Sequence, residues 1–280
     1  MTSPLNTKIV FITGCSTGIG YQLAQQLKQR GYRVIASCRK AQDVERLRKQ
    51  GLHCLQLDLN SSQSIQSTVE YLSLIKDGDL YALINNGAYG QPGALEDLPT
   101  QALREQFETN FFGWHELTTR LLPILLRQPN ARIIQVSSVL GFAAMKYRGA
   151  YNASKFALEG WTDTLRIELA STNVQVSLIE PGPIETQFRA NALAAFKRWI
   201  QREGSRHKTQ YERELERLSK ATSKNRFVLP AQACVPPVID ALEAKRPKIR
   251  YRVTTPTKVF ACLKRLLPAR MLDRILNKAA

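Results

Sequence analysis

Residues 8–13 form a short apolar run, partly β-branched, that breaks into Gly14-Cys15-Ser16-Thr17-Gly18-Ile19-Gly20. A helical pattern comes next, with Ile19, Leu23, Ala24 and Leu27 on one side, and it stops at Gly31. Strand, glycine turn and helix in that order leave few choices of fold. The glycines let backbone approach a pyrophosphate, and the helix start offers free N–H groups with partial positive charge. The spacing is Gly-x-x-x-Gly-x-Gly, not the G-x-G-x-x-G of the common dinucleotide fingerprint. A plain strand-to-helix turn is the bland alternative; three glycines behind a strand favour the phosphate cradle.

The alternation continues. Strands are expected at 33–38, 53–57, 80–84, 132–136 and 174–179, with helices at 42–50, 62–76, 100–126 and from 151 to about 169. Asn60 and Ser61 fit the cap of the 62–76 helix, and Pro123 is expected to bend or end the 100–126 helix. Six β-α alternations predict a doubly wound parallel sheet with right-handed crossovers. The polar candidates fall at carboxyl ends of strands or on one helix, where such sheets bind ligands.

Arg39 and Lys40 come after the second strand, and no acid lies between Arg33 and Gln42. A carboxylate there would grip a ribose; cations suit a 2′-phosphate, so the sequence favours NADP(H) over NAD(H). Solvated loop charges are the alternative. Asn85-Asn86-Gly87-Ala88 ends the fourth strand and Ser137-Ser138 the fifth. Asn110 lies between Phe107 and Phe111-Phe112, either satisfying a core or holding a water for proton relay. Tyr151 and Lys155, four apart, leave one helix face a turn apart. A phenol near pKa ~10 is lowered by an adjacent cation and can then exchange a proton at a reacting oxygen.

Together these residues resemble the short-chain dehydrogenase/reductase superfamily over roughly residues 7–188. The motifs are Thr13-Gly14-x-x-x-Gly18-x-Gly20, Asp58, Asn85-Asn86-Gly87-Ala88, Asn110, Ser138, Tyr151-x-x-x-Lys155 and Pro181-Gly182-x-x-x-Thr186. The fourth is usually Asn-Asn-Ala-Gly in that family, so Gly87 and Ala88 are exchanged. Within the superfamily the chain is similar to bacterial NADP-dependent aldehyde reductases, themselves similar to retinol and 17β-hydroxysteroid dehydrogenases. The resemblance implies a Rossmann-type sheet of about seven strands with helices on both faces, carrying NADP(H) and no metal. It implies that Ser138 holds the substrate oxygen and that Tyr151 is the acid in reduction and the base in oxidation. Lys155 would lower the tyrosine pKa and hold the nicotinamide ribose, and Asn110 would support a relay water. Gly14, Ser16, Thr17, Gly18, Ile19, Gly20, Arg39, Lys40, Asp58, Leu59, Asn86, Gly87, Pro181, Gly182, Ile184 and Thr186 would line the cofactor, with Asp58 and Asn86 towards the adenosine. Tyr89, Leu140, Phe142 and Tyr147 would stand near an apolar aldehyde, ketone or alcohol.

Charge sets the C-terminal third apart from this scaffold. The net charge is +17, yet residues 189–226 hold 11 basic and 4 acidic side chains and residues 245–280 hold 11 and 1, while the remainder balances at 18 and 18. We read residues 1–280 as one domain, with 187–228 as a substrate-lid insertion and 245–280 as a basic amphipathic C-terminal extension. The stretch Ala192, Leu193, Ala194, Ala195, Phe196, Trp199 and Ile200 suits a lid wall or an ordinary surface helix. Apolar residues recur from Val259 to Leu276 among cations, which fits a peripheral membrane surface, packing on the body, or a homo-oligomer. No nucleic-acid reading module is recognisable. Cys15, Cys38, Cys54, Cys234 and Cys262 lack C-x-x-C spacing and His53 stands alone, so reduced thiols in a cytoplasm are expected. The first six residues carry no signal-peptide pattern, and no apolar run approaches a membrane span. A catalytically silent NADP(H)-binding sensor acting through its basic end is the alternative to an enzyme.

Overall fold

Seven parallel strands form the centre of the structure, a computed structural model that describes residues 7–75, 79–219 and 226–279. The chain runs β1 (Lys8–Ile12), α1 (Gly18–Gln29), β2 (Arg33–Cys38), α2 (Ala41–Lys49), β3 (His53–Gln56), α3 (Ser62–Ser73) and β4 (Asp79–Asn85). It continues with α4 (Thr100–Phe107), a π-turn at Glu108–Phe112, α5 (Gly113–Leu126), β5 (Ala131–Val136), α6 (Gly149–Glu168) and β6 (Val174–Glu180). Last come β7 (Ile184–Glu185), α7 (Phe188–Trp199), α8 (Lys208–Ser219), β8 (Leu229–Pro230), α9 (Val235–Glu243), β9 (Arg250–Arg252), α10 (Thr255–Leu266) and α11 (Ala269–Ala279). The sheet order is β3-β2-β1-β4-β5-β6-β9. The order reverses between β1 and β4, so their carboxyl ends open a crevice.

Both sheet faces are covered, which is why the strands read as nearly continuous apolar runs. One core joins Val10, Ile12, Ile134 and Val136 to Leu23 and Leu27 of α1 and Val238 and Leu242 of α9. The other joins Ile9, Phe11, Leu83 and Ile133 to Trp114, Leu117 and Leu121 of α5 and Leu158 of α6. Ser61 caps α3 by accepting from the Ser64 N–H at 3.2 Å, as its position predicts.

The 100–126 helix differs from expectation. Its middle turn widens into the π-turn around Asn110, and Pro123 does not end it. Proline removes one N–H and leaves the carbonyl four residues earlier unpaired. Pro123 and Thr119 are both exposed, so water can serve that carbonyl. The expected end of the 62–76 helix, the six N-terminal residues, and residues 220–225 of the lid insertion lie outside the described residues. All five cysteines are free thiols, Cys262 alone being exposed. Among the described residues no helix is long and apolar enough to cross a membrane.

Candidate active site

Three strand ends meet at the glycine turn. Gly14 adopts φ +70° and Gly18 φ +61°, the left-handed region that side chains rarely enter. A Cβ on Gly14 would lie 2.4 Å from Gly87 Cα, so the turn crosses the end of β4 backbone to backbone. Thr13 Oγ1 accepts from the N–H groups of Asn86 and Gly87, each at 2.9 Å. The Asn86 side-chain amide donates to the carbonyls of Thr13 and Gly14, both at 3.0 Å. Asn86 therefore locks the turn in shape. A Cβ on Gly18 would meet Thr186 Cγ2 at 2.9 Å, which brings the loop after β6 onto the same turn.

This turn fits a dinucleotide phosphate. Thr17 caps α1 with no side-chain hydrogen bond, and no acid lies in the helix's first turn. The first N–H groups are thus unsatisfied by the protein's own side chains, in a positive field. Arg39 and Lys40 are exposed beyond β2. Arg46, which sequence reasoning does not single out, reaches back from α2 to donate to Ser16 O at 2.6 Å and pairs with Asp43 at 2.9 Å. A cation on a helix face carries no sequence signal of that reach. Asp58 Oδ1 accepts from the Asn60 N–H at 3.0 Å, and buried Leu59 packs beneath Gly87.

At the next strand end Ser138 and Tyr151 meet. Ser138 is buried, with extended backbone, and its hydroxyl accepts from the Leu140 N–H at 3.1 Å. The same hydroxyl lies near enough to the Tyr151 phenol to favour its charged form. Tyr151 is half-buried. Desolvation pushes its phenol up to about 12, and the neighbouring Ser138 hydroxyl offsets only part of the shift.

Lys155 lies a turn further along α6 and is 1% exposed. Its ammonium donates to Val136 O at 2.8 Å and sits 4.3 Å from the Trp114 ring centroid. It is 5.9 Å from the centroid of the Tyr151 ring. Burial lowers its pKa to about 7, partly countered by the Glu159 carboxylate. Around Tyr151 desolvation is the largest cause of the shift and acts upward, and Lys155 is not among its causes. The lysine is spent on a carbonyl and an indole face, and desolvation dominates both groups.

Burying the amine carries a testable cost. Lys155 has a folded pKa below its unfolded value, so between pH 7 and about 10 the unfolded chain binds more protons. Stability therefore rises with pH across that window and levels off at its lowest below about pH 7, where both states hold the proton. Urea unfolding at pH 7 and pH 9 should show the wild type gaining roughly 2 kcal/mol more than Lys155→Met over that interval. Equal gains would remove the assigned shift.

Behind the lysine, an ionic cluster ties α6 to the sheet edge. Arg250 bonds Asp163 at 2.6 Å, Glu159 at 3.2 Å and Glu180 at 3.1 Å, and Arg252 bonds Glu180 at 3.2 Å. Gly182 passes so close to Thr254 that a Cβ would sit 2.1 Å from its Oγ1, and Val139 N–H donates to Pro181 O at 2.7 Å. The loop after β6, the Ser138 turn and the start of α10 are thus one packed unit. Ile184 continues that loop by pairing with Leu229 in the two-stranded β7–β8 sheet.

Asn110 is fully buried. Its Oδ1 accepts from the Tyr89 N–H at 3.1 Å, and its Nδ2 donates to Tyr89 O at 2.9 Å and to Ser154 Oγ at 3.3 Å. It fixes the segment after β4. The four expected substrate neighbours part company. Leu140 and Phe142 join Tyr151 in a cluster covered by Phe260 and Leu276. Tyr89 is half-buried, its phenol pushed up to about 12 by burial. Tyr147, at φ 59°, packs edge-on against His207 and Tyr211 with Phe196, Ile200 and Ala94. The nearest ring from the insertion is Phe188, 5.3 Å from the Tyr151 ring centroid in a T-shaped contact. Its sequence position places Phe188 within the lid but signals no role for it. Among the described residues no cluster of His, Cys, Asp or Glu could hold a metal ion.

Residues 8–196 match the family model described as short chain dehydrogenase. The chain is 41% identical over 277 residues to the uncharacterized oxidoreductase YbbO of Escherichia coli strain K12, covering 99% of this chain and 97% of that protein. It is 32% identical, over 95% of both chains, to the NADPH-dependent 3-dehydrocapnine reductase of Ornithobacterium rhinotracheale. A short chain dehydrogenase from Burkholderia cenocepacia J2315, solved in complex with NADP, superposes with a TM-score of 0.75 at 22% identity over 98% of this chain and 99% of that one, a likeness of fold. The chain belongs to the short chain dehydrogenase family and is an oxidoreductase of that family.

Proposed function

We propose that this protein is an NADP(H)-dependent reductase or dehydrogenase of apolar aldehydes, ketones or the matching alcohols. The observation that carries the reading is the gathering of the Ser138 hydroxyl, the Tyr151 phenol and the buried Lys155 amine beside the end of β5. The dinucleotide would supply or accept the hydride; the chain need only orient the carbonyl and move one proton. Ser138 holds the substrate oxygen. Tyr151 gives its proton to that oxygen in reduction and takes it back in oxidation. A phenol held above its ordinary value is protonated at neutral pH, the form that the reductive direction requires. Lys155 and Asn110 fix the surroundings, the one against Val136 and Trp114, the other against Tyr89 and Ser154.

The apolar substrate class rests on what surrounds Tyr151: the Phe188 ring, Leu140 and Phe142. The phosphate preference rests on Arg39 and Lys40, left exposed beyond β2 where an acid would repel a 2′-phosphate, with Arg46 beside the glycine turn. Arg39→Ala should cut the NADPH-over-NADH preference in kcat/KM by about tenfold, as the loss of one charge-assisted contact implies. An unchanged ratio would reject the phosphate role of Arg39.

The test of the activity is NADPH consumption by the full chain with long-chain and aromatic aldehydes. Tight NADPH binding without turnover would favour the catalytically silent sensor instead.

A further inference from the structure

The two C-terminal helices are apolar on more sides than the body can cover. Phe260 of α10 and Leu276 of α11 face inward and close over Val139, Leu140 and Ala143. The other side of α10 carries Val259, Cys262 and Leu266 at i, i+3 and i+7, a single stripe. Val259 is 48% exposed and Leu266 72%. On α11, Leu272 and Leu276 point inward, while Met271 and Ile275, one position earlier in each turn, are 49% and 36% exposed. Its apolar arc is wider than its contact with the protein.

Cations border this arc. Arg270, Arg274 and Lys278 recur every four residues along α11, and Lys258, Lys264 and Arg265 line α10; Asp273 is the one acid in the two helices. Among the described residues none of the six cations forms an ion pair. Lys264 instead lies 4.9 Å from the centroid of the half-exposed Phe156 ring. An open cavity of about 360 Å³ lies between α11 and the segment after Phe142, lined by Ala144 and Lys146 from that segment and by Asp273, Arg274, Leu276 and Asn277 from α11.

We propose that this two-helix face docks on an anionic lipid bilayer. Leu266, Met271 and Ile275 enter the boundary between headgroups and acyl chains, and the cations meet lipid phosphates. A second copy is the poorer occupant, because a self-complementary contact would set cations against cations. Nucleic acid is poorer too, because the exposed apolar groups of α10 and α11 are aliphatic and offer no stacking platform for bases. Docking has a consequence that rests on the activity proposed above. The same helices cover the Leu140–Phe142 cluster beside Tyr151, so an apolar carbonyl dissolved in the bilayer would be met at the membrane surface.

Flotation of the full chain tests docking without any assay of activity. The probes are vesicles of phosphatidylcholine alone and of phosphatidylcholine with phosphatidylglycerol in equal parts. The wild type should float with the mixed vesicles, stay behind with the neutral ones, and be released by high salt. The triple variant Leu266→Asp, Met271→Asp, Ile275→Asp should lose at least about tenfold in bound fraction, since it removes the inserting groups. Its circular dichroism should match the wild type and its unfolding midpoint should fall little, because Leu266 and Met271 are largely exposed and Ile275 is partly so. Arg270→Glu with Arg274→Glu should lose binding to a similar degree. A wild type that ignores mixed vesicles would overturn the proposal, as would a triple variant that floats equally well. Wild-type self-association abolished by the triple variant, or duplex binding without vesicle binding, would assign the face to a second copy or to nucleic acid and equally refute docking on lipid. Failure to reduce any carbonyl would leave the docking result standing.

Discussion

Tyr151→Phe is expected to lose at least about a hundredfold in kcat, within the usual range for removing a positioned acid. The fold should survive, since the ring and its T-shaped contact with Phe188 at 5.3 Å remain. NADPH affinity should change little, because the turn that would hold the phosphates is built from β1, β4 and the loop after β6. Ser138 keeps its bond from the Leu140 N–H. Steady-state rates beside NADPH titration separate the two effects. A rate within about twofold of wild type would remove Tyr151 from the chemistry, whatever its position.

The second large effect concerns the glycine turn. Gly14→Ala asks an L-residue to hold φ +70° and drives a methyl to within 2.4 Å of Gly87 Cα. The strained dihedral costs about 1–3 kcal/mol and the overpacking a similar amount. Together, at about 2–6 kcal/mol, they reach the lower end of the stability of an ordinary domain, about 5–15 kcal/mol. We expect a urea midpoint far below wild type, or failure to fold. Gly160→Ala is the control. Gly160 lies inside α6, and a Cβ there meets nothing within 4 Å. It should gain about 0.5–1 kcal/mol from helix propensity alone. A mild Gly14→Ala would mean that the close crossing of β1 and β4 is wrongly drawn.

The exchange of Gly87 and Ala88 has a related reading. A Cβ at Gly87 would come 3.3 Å from both Gly14 N and Leu59 Cδ1, tight without being prohibitive. The glycine demand at that crossing is absolute at Gly14 and weaker at Gly87.

Much of this architecture can be read from the chain because its signals are local. Strands covered on both faces show as apolar runs, glycine turns as fixed spacings, and Ser61 as a cap. What escapes depends on distant partners. β9 is the three residues Arg-Tyr-Arg, with only Tyr251 buried, and its arginines belong there because Glu159, Asp163 and Glu180 receive them. Two-residue strands such as β7 and β8 have no periodicity to find. The π-turn at Asn110 exists because both backbone groups of Tyr89 need that amide, which no helix propensity reports. The direction of the tyrosine pKa shift escapes for the same reason. Spacing of four gives the proximity of Tyr151 and Lys155 but not the Val136 carbonyl and Trp114 ring that take up the amine. The lid stretch can be read two ways from sequence. In the fold, Ala192, Phe196 and Ile200 are buried, the latter two packing with Ala94 and Tyr211, and Phe188 in the first turn of α7 reaches Tyr151.

The direct measurement is oxidation of NADPH by the purified full chain across a panel of apolar aldehydes and ketones, with NADH in parallel. Turnover of at least one long-chain or aromatic carbonyl, faster with NADPH, is the predicted result. NADPH held tightly with no carbonyl in the panel reduced would contradict it.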